Sequence, residues 1–488
     1  MAGPMSPSVA VIGTGFGGLA AVIELKRRGF DDIVVLEKAD GVGGTWRENT
    51  YPGAACDVPS PFYSYSFEPN PHWPNRFSRQ PAILEYINKV ADTYDIRRHV
   101  RFGTEVTGAD FDAVTGRWTV AVSSGEPVVA DVLVSAVGQL SRPSIPDLPG
   151  LETFAGPAFH SATWDHDVDL TGKRVAVIGT GASAVQFVPQ IQPRVGRMTV
   201  FQRSAPYVIP RPDREFGRWH HRLFERVPAT ELAERATWYG LVEGLSVAWV
   251  YARPLAAALR AWSKRHMRRG TRAKPGLFER VWPDYAIGCR RILFSDDYLP
   301  ALAAPNVELV TQPVTAVTPR GVVTADGTEH PADVLIWGTG FNVQDFLAPM
   351  AITGAGGVAL QDQWRDGARA YYGMTVPNFP NLFVLYGPNT NTGGGSIIYF
   401  LEAQAAYLGD YVSHLAATGR PLAVKPAVEQ AYDERIQEQL RGSVWSRCTS
   451  WYRQADGRIT ANWPLLGAQY RRQARFDAAD YEPAGTAG

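Results

Sequence analysis

Cysteine is scarce. The chain has three in 488 residues, Cys56, Cys289 and Cys448, so far apart that neither a Cys-x-x-Cys redox pair nor a zinc-ligand spacing can be built locally. That scarcity makes the reducing cytoplasm the natural setting. An excess of one charge is missing too: Lys+Arg 48 matches Asp+Glu 48, so nothing global suggests nucleic acid. Long apolar runs are absent as well. The best candidate, Leu241 to Trp262, is interrupted by Glu243, Arg253, Pro254 and Arg260, whereas a membrane-spanning helix needs about 20 mainly apolar residues. Met1 to Val9 reaches a strand-like run without a basic segment and apolar core before it, so no secretory signal is expected. At 45% apolar and 20% charged residues, the composition is that of an ordinary globular protein, with chain enough for roughly three domains.

What the sequence does contain is a repeated unit. The strand-like run Ser8 to Ile12 leads into Gly13-Thr14-Gly15-Phe16-Gly17-Gly18, and Leu19 to Arg28 then reads as a helix. Glycines at positions 13, 15 and 18 let the backbone turn tightly, admit a pyrophosphate and bring helix against strand. A second strand, Ile33 to Leu36, ends in Glu37, 19 residues after Gly18, where a carboxylate can accept ribose hydroxyls. The pattern recurs with Arg174 to Ile178 as strand and Gly179-Thr180-Gly181-Ala182-Ser183-Ala184 as turn, alanine replacing the third glycine. Gly13 to Glu37 and Gly179 to Arg203 are both offsets of 24. An acid in the first unit therefore stands where a cation stands in the second. A carboxylate would repel a 2′-phosphate and a guanidinium can pair with it, so the second unit should prefer NADPH.

Both units close alike, Ala130 to Val134 leading to Gly138 and Ala332 to Ile336 leading to Gly338-Thr339-Gly340. Before each closure, around Gly116 to Val122 and Val314 to Val323, short alternating segments predict a β-meander. A further apolar strand, Leu382 to Tyr386, follows the second closure and needs a sheet to join, so the second unit interrupts the first. A long helix is expected over Ile397 to Ala416. The predicted class is α/β, with two Rossmann-like dinucleotide-binding domains, the second inserted in the first, and a helical insertion. The first domain is expected over 1–140 and 341–488, a linker over 141–170, the second domain over 171–340, and the helical insertion over about 206–283. From Arg253 to Lys274 there are eight basic residues and no acid, compatible with a membrane surface, a phosphopolymer partner or, most simply, a solvated helix face.

Phe154-Ala155-Gly156-Pro157-Ala158-Phe159-His160-Ser161-Ala162-Thr163-Trp164-Asp165 fits F-x-G-x-x-x-H-x-x-x-W-[PD]. This resembles the fingerprint of Baeyer–Villiger monooxygenases, the FAD- and NADPH-dependent branch of the flavin-containing monooxygenase superfamily. Gly43-Gly44-Thr45-Trp46 and Tyr51-Pro52-Gly53-Ala54-Ala55-Cys56-Asp57 are similar to the family's flavin-side block, and the resemblance runs to about Trp463. It implies FAD contacts from Gly13, Gly15, Phe16, Gly18, Glu37, Lys38, Gly44, Thr45, Trp46, Asp57, Tyr63, Val106, Gln139 and Ile397. It implies NADPH contacts from Thr180, Gly181, Ala182, Ser183, Ala184, Gln186, Arg203, Ser204, Arg290, Arg291 and Trp451. Arg291 and Asp57 match the catalytic pair. Arg290 stands where the family commonly has lysine, and the loop after Trp451 departs from the pattern of the best-known ketone oxidisers. The fingerprint residues Phe154, Gly156, His160, Trp164 and Asp165 are expected to couple the units rather than touch substrate. No metal site is expected.

The resemblance further implies insertion of one oxygen atom of O2 beside a ketone carbonyl, through a C4a-peroxyflavin and a tetrahedral adduct, to give an ester or lactone. Arg291 would favour the deprotonated peroxide, with Asp57 orienting it. Oxidation of sulfur or nitrogen in small molecules stays open, as does a flavin-binding redox sensor without turnover. A flavin disulfide reductase is disfavoured by the missing cysteine pairs. O2 and a small ketone are the expected partners. No nucleic acid and no integral membrane segment are expected, and the sequence is silent on oligomeric state.

Overall fold

In the computed structural model, which describes residues 6–392, 394–448, 452–454 and 456–484, the first apolar run forms the strand Val9–Ile12, buried along its length. Continuous burial suits a parallel sheet covered on both faces. That sheet runs Leu382–Val384, Val132–Ser135, Val9–Ile12, Ile33–Leu36, Val100–Arg101, with every pairing parallel. The chain leaves Val9–Ile12 towards Ile33–Leu36 by the helix Phe16–Arg27, and Val132–Ser135 lies on the other flank. Strand order reverses there, which opens a crevice at Gly13, where doubly wound sheets bind ligands.

The second sheet repeats this plan: Val307–Val310, Arg197–Phe201, Arg174–Ile178, Val334–Trp337, Ala158–His160, again all parallel. One edge strand of each sheet comes from outside the stretch of chain that forms the rest of that sheet. Leu382–Val384 follows the second unit yet joins the first sheet, and Ala158–His160 precedes the second unit whose sheet it edges. The meanders form as Val106–Asp112, Arg117–Val122 and Val128–Ala130, and as Val314–Thr318, Gly321–Thr324 and Glu329–Pro331.

One expected strand is divided. Ala130 ends a meander and Val132 starts a parallel strand, because Asp131 between them turns its carboxylate to the Ser8 N–H at 2.8 Å and to Arg117 at 3.1 Å. The second unit does the same with Asp333, which accepts the Arg174 N–H at 2.8 Å and pairs with its guanidinium. Those hydrogen bonds hold the Asp333 carboxyl down at about 2.

Between the second and third strands of the repeat lie the helices Arg218–Arg226, Pro228–Tyr251, Arg253–Gly270 and Leu277–Val281. The long helix Pro228–Tyr251 docks on Ile397–Thr418 through Tyr239 and Tyr399, ring centres 5.3 Å apart. In the basic stretch, Arg260 and Lys264 lie over Trp282 and Arg268 over Phe278, at 4.9, 5.7 and 5.0 Å. Lys274 reaches the Leu302 carbonyl at 3.4 Å. Half of the cations thus hold the insertion to its own neighbours. No helix among the described residues is long and apolar enough to cross a membrane.

Cys289 and Cys448, 159 residues apart, form a disulfide with a Cα separation of 6.0 Å. Local spacing excluded a neighbouring pair; tertiary structure supplies a distant one. Cys56 is a buried free thiol.

Candidate active site

A cavity of about 1150 Å³ lies between the two glycine loops, lined by both units. Gly13 has φ +97 and Gly179 φ +110, and a Cβ would come within 3.0 Å of the Ala136 carbonyl oxygen and 2.3 Å of that of Gly338. Side chains are excluded at both turns, so the backbone itself forms the cavity wall. Gly15 and Gly181 cap the helices Phe16–Arg27 and Ala182–Ile191 without a side-chain hydrogen bond, leaving first-turn N–H groups suited to an anion.

On the first unit's side, Glu37 is oriented by its own turn. One carboxylate oxygen accepts the Thr14 N–H at 2.9 Å and hydroxyl at 2.6 Å, the other the Ala39 N–H at 2.9 Å. Lys38 pairs with Glu48 at 3.1 Å. Trp46 donates its indole N–H to the Tyr63 hydroxyl at 3.1 Å, and Phe16 meets Tyr63 edge-on at 5.4 Å, which makes an aromatic wall. Gly44, Thr45, Val106, Gln139 and Ile397 line the same cavity. Gln139 donates to the Tyr386 carbonyl at 3.0 Å.

On the second unit's side, Arg203 is exposed beside Thr180, Gly181, Ala182 and Ser183, and makes no hydrogen bond or ion pair to any described residue. Thr180 donates to the Ser204 carbonyl at 3.1 Å, and Arg290 donates to the Ser204 hydroxyl while lying over Tyr285 at 4.8 Å. Gln186 spans the units. Its carbonyl oxygen accepts from the Tyr51 hydroxyl at 2.9 Å and the Ala55 N–H at 3.2 Å, and its amide donates to the Ala55 carbonyl at 3.0 Å. Both ends of that amide are therefore engaged by the loop that carries Asp57.

Arg291 and Asp57 meet in an ion pair at the junction of the units. The Arg291 side chain is 48% exposed, and it faces the cavity. Asp57 raises the guanidinium's pKa further, so Arg291 is a permanent cation. Burial, and then the charge of Asp57, push the adjacent Cys56 thiol up, so it stays protonated and unreactive.

Some expected residues lie elsewhere. Gly18 and Ala184 sit beneath the turns, where helix meets strand, and do not line the cavity. Phe154, Gly156, His160, Trp164 and Asp165, not expected to touch substrate, also lie outside the cavity lining. His160, 1% exposed, accepts the Ala162 N–H at 3.0 Å and lies against Phe341; burial lowers its pKa, which favours a neutral ring. Trp164 wedges between Phe159 and Phe187, at 5.2 and 5.3 Å. Asp165 accepts the Asp167 N–H at 3.0 Å. Trp451 lies outside the described residues.

The sequence reading missed two tyrosines. Tyr386 lines the cavity with φ +60, its N–H held by Gln404 at 3.0 Å and its hydroxyl donating to Asn391 at 3.2 Å. Tyr452 bonds the Arg291 backbone through its hydroxyl. Burial pushes both hydroxyls up to about 12, with Arg291 opposing, so both stay protonated and neutral. The only local signal was a tyrosine ending an apolar strand just before Gly387-Pro388. Among the described residues no cluster of His, Cys, Asp or Glu could hold a metal ion.

Two doubly wound units facing one cavity, with an acid at one nucleotide-binding turn and a cation at the other, define a two-nucleotide oxidoreductase scaffold. Comparison with known proteins agrees. Residues 6–230 match the flavin-binding monooxygenase-like family. A Baeyer–Villiger monooxygenase of Streptomyces coelicolor is 46% identical over 97% of this chain and 92% of its own length. Among solved structures, oxidised steroid monooxygenase bound to NADP superposes with a TM-score of 0.87 at 31% identity, covering 98% of this chain and 99% of that one. OTEMO in complex with FAD and NADP gives 0.88 at 28% identity, over 99% and 100%. The chain belongs to the Baeyer–Villiger monooxygenase family.

Proposed function

We infer that this protein is an FAD- and NADPH-dependent monooxygenase that inserts one atom of O2 beside the carbonyl of a small ketone. The product is an ester or lactone; the second oxygen atom leaves as water, with the hydride of NADPH and one proton. The observation that carries the reading is the Arg291–Asp57 pair, set in a cavity shared by both glycine loops in a chain that aligns with this family over nearly its full length.

The residues present suit both cofactors. On the FAD side, the glycine turn at Gly13 and Gly15, with Gly18 admitting the helix close beneath it, would take the pyrophosphate, and Glu37 the ribose. Phe16, Lys38, Gly44, Thr45, Trp46, Asp57, Tyr63, Val106, Gln139 and Ile397 would complete the cradle. On the NADPH side, the turn from Thr180 to Ser183 would take the pyrophosphate, and Arg203, Ser204 and Arg290 the 2′-phosphate. Sheet membership supports assigning 1–140 and 341–488 to FAD and 171–340 to NADPH; of the joining segment 141–170, the strand Ala158–His160 belongs to the second sheet. The cofactors supply hydride transfer and activation of O2. This chain's contribution is positional and electrostatic. Arg291 offers a fixed positive charge to the oxygen that becomes negative as a ketone is attacked, and Asp57 holds the guanidinium in place. A preorganised donor of this kind is worth about 10²–10³ in rate. NADPH dependence supports the cytoplasm as the working compartment.

Purified enzyme supplied with NADPH, ¹⁸O2 and a ketone panel should yield esters carrying one labelled atom. Arg291→Ala should retain FAD and lose at least about 10² in ester formation. Hydrogen peroxide as the sole product from every ketone, or undiminished ester from Arg291→Ala, would refute the assignment. Sulfoxide from a thioether without ester from any ketone would move it to heteroatom oxidation.

A further inference from the structure

Arg290 and Arg291 lie outside any helix or strand, on the chain between the helix Leu277–Val281 and the strand Leu293–Phe294. The placement of Arg291 is therefore set by what ties this loop down. Towards the second unit, Arg290 donates to Ser204 and stacks on Tyr285, whose hydroxyl donates to the Ala205 carbonyl at 2.8 Å. Towards the C-terminal part of the chain, the ties are Cys289, joined to Cys448, and the Arg291 backbone, bonded by the Tyr452 hydroxyl. Cys448 follows the turn Val444–Arg447, whose Trp445 is buried and meets Tyr452 at 6.2 Å. One covalent and one hydrogen-bonded link thus clamp the arginine loop to the same short segment. The covalent link is the stronger, and the only one that chemistry can open.

We propose that the Cys289–Cys448 disulfide is a positioning element for Arg291, and that its redox state sets how much of the consumed NADPH ends in ester rather than hydrogen peroxide. The inference rests on the ketone-oxidising reading above. A catalytic charge displaced by about 1 Å can cost on the order of 10²-fold in rate, and an activated oxygen not passed on in time is released as peroxide. Oxidation of NADPH needs no attack on a ketone, and Arg290 keeps its own ties to Ser204 and Tyr285, so it should continue. In the proposed cytoplasmic setting a disulfide is more often a redox-sensing device than a permanent staple.

The chemistry is exchange with a dithiol. Its thiolate attacks the Cys448 sulfur, which is partly exposed while Cys289 is 1% exposed. The Cys289 thiolate leaves and takes a proton, the second thiol of the reagent closes on the first, and Cys448 is released as a thiol. Two electrons and two protons pass from the dithiol to the protein, and the reagent leaves as its own cyclic disulfide.

The test compares oxidised holoenzyme, the same enzyme after dithiothreitol, and the variants Cys289→Ser and Cys448→Ser. Ester and peroxide are each measured per NADPH consumed, with intact mass, FAD content and melting temperature recorded in parallel. Reduced wild type, heavier by two hydrogen atoms, should keep its FAD and its NADPH oxidation but lose about tenfold in ester per NADPH, with peroxide rising to match. Oxidised glutathione should restore wild type. Both variants should match the reduced enzyme and ignore either reagent. A lower melting temperature with an unchanged ester-to-peroxide ratio would mean a structural staple only and would overturn the proposal. So would a pair that stays as two thiols after oxidised glutathione. Equal ester yield in both redox states defeats this inference alone; no ester from the oxidised enzyme with any ketone defeats it together with the underlying reading.

Discussion

At the scale of single residues, chemistry follows from whether a charge has been given a partner. Arg203 has none among the described residues and waits beside the second glycine turn, whereas Lys38, Arg174 and Arg291 are each paired with a carboxylate. Charge-assisted hydrogen bonds of the kind a 2′-phosphate would offer are worth about 1.5–3 kcal/mol. Arg203→Ala should therefore raise the KM for NADPH roughly 10- to 100-fold while leaving that for NADH nearly unchanged, in steady-state kinetics with each coenzyme.

Glu429 shows the opposite case, a carboxyl given poor company. It is 2% exposed with Arg369 at 3.5 Å, and burial pushes its pKa from 4.5 up to about 7. Because the folded state holds this proton more tightly than the unfolded chain, stability from this group is complete below 4.5 and is lost as pH rises to about 7. Glu429→Gln removes that loss. Melting temperatures of the two proteins should converge near pH 4 and separate at pH 8 by a few °C, on the order expected for a chain this long, with the variant higher.

At the scale of elements, each sheet takes one edge strand from outside the rest of its unit, and in the second sheet the fingerprint segment supplies it. Ala158–His160 pairs with Val334–Trp337, the strand that leads to the cavity-lining Gly338. The approach is so close that a Cβ on Gly156 would stand 2.2 Å from the Asp333 carbonyl oxygen. Gly156→Ala should push this edge strand away, lower the melting temperature by several °C and weaken NADPH use. The bound-flavin absorbance should be unchanged, since the first sheet is untouched. Flavin loss accompanying the weakened NADPH use would contradict the separation of the two sheets.

At the scale of the whole molecule, Gln186 is a link between the two units in which both polar atoms of the side chain are used. Gln186→Leu keeps the volume and removes the clamp on the loop bearing Asp57. FAD content and the KM for NADPH should hold while kcat for ester formation drops several-fold. A rise in the KM for NADPH with unchanged kcat would instead make Gln186 a coenzyme contact.

Much of this architecture was legible because its signals are local. The turns at Gly13 and Gly179, the exchange of Glu37 for Arg203 at equal offset and the closing strands each lie within one stretch of chain, where steric need and charge can be read directly. The division at Asp131 was not legible, since it rests on Ser8, 123 residues away in sequence. Tyr386 and Tyr452 were missed for the same reason: an aromatic at a strand end or in a loop carries no sign of the guanidinium it will face. Sequence alone thus determined the two nucleotide-binding units, their order and their opposite charge preferences, because these depend on backbone geometry and charge within short segments. Tertiary structure alone decided the pairing of Arg291 with Asp57, the double use of Gln186 and the union of Cys289 with Cys448, because each joins groups more than a hundred residues apart. Such contacts exist only once packing of the two units has brought their loops together.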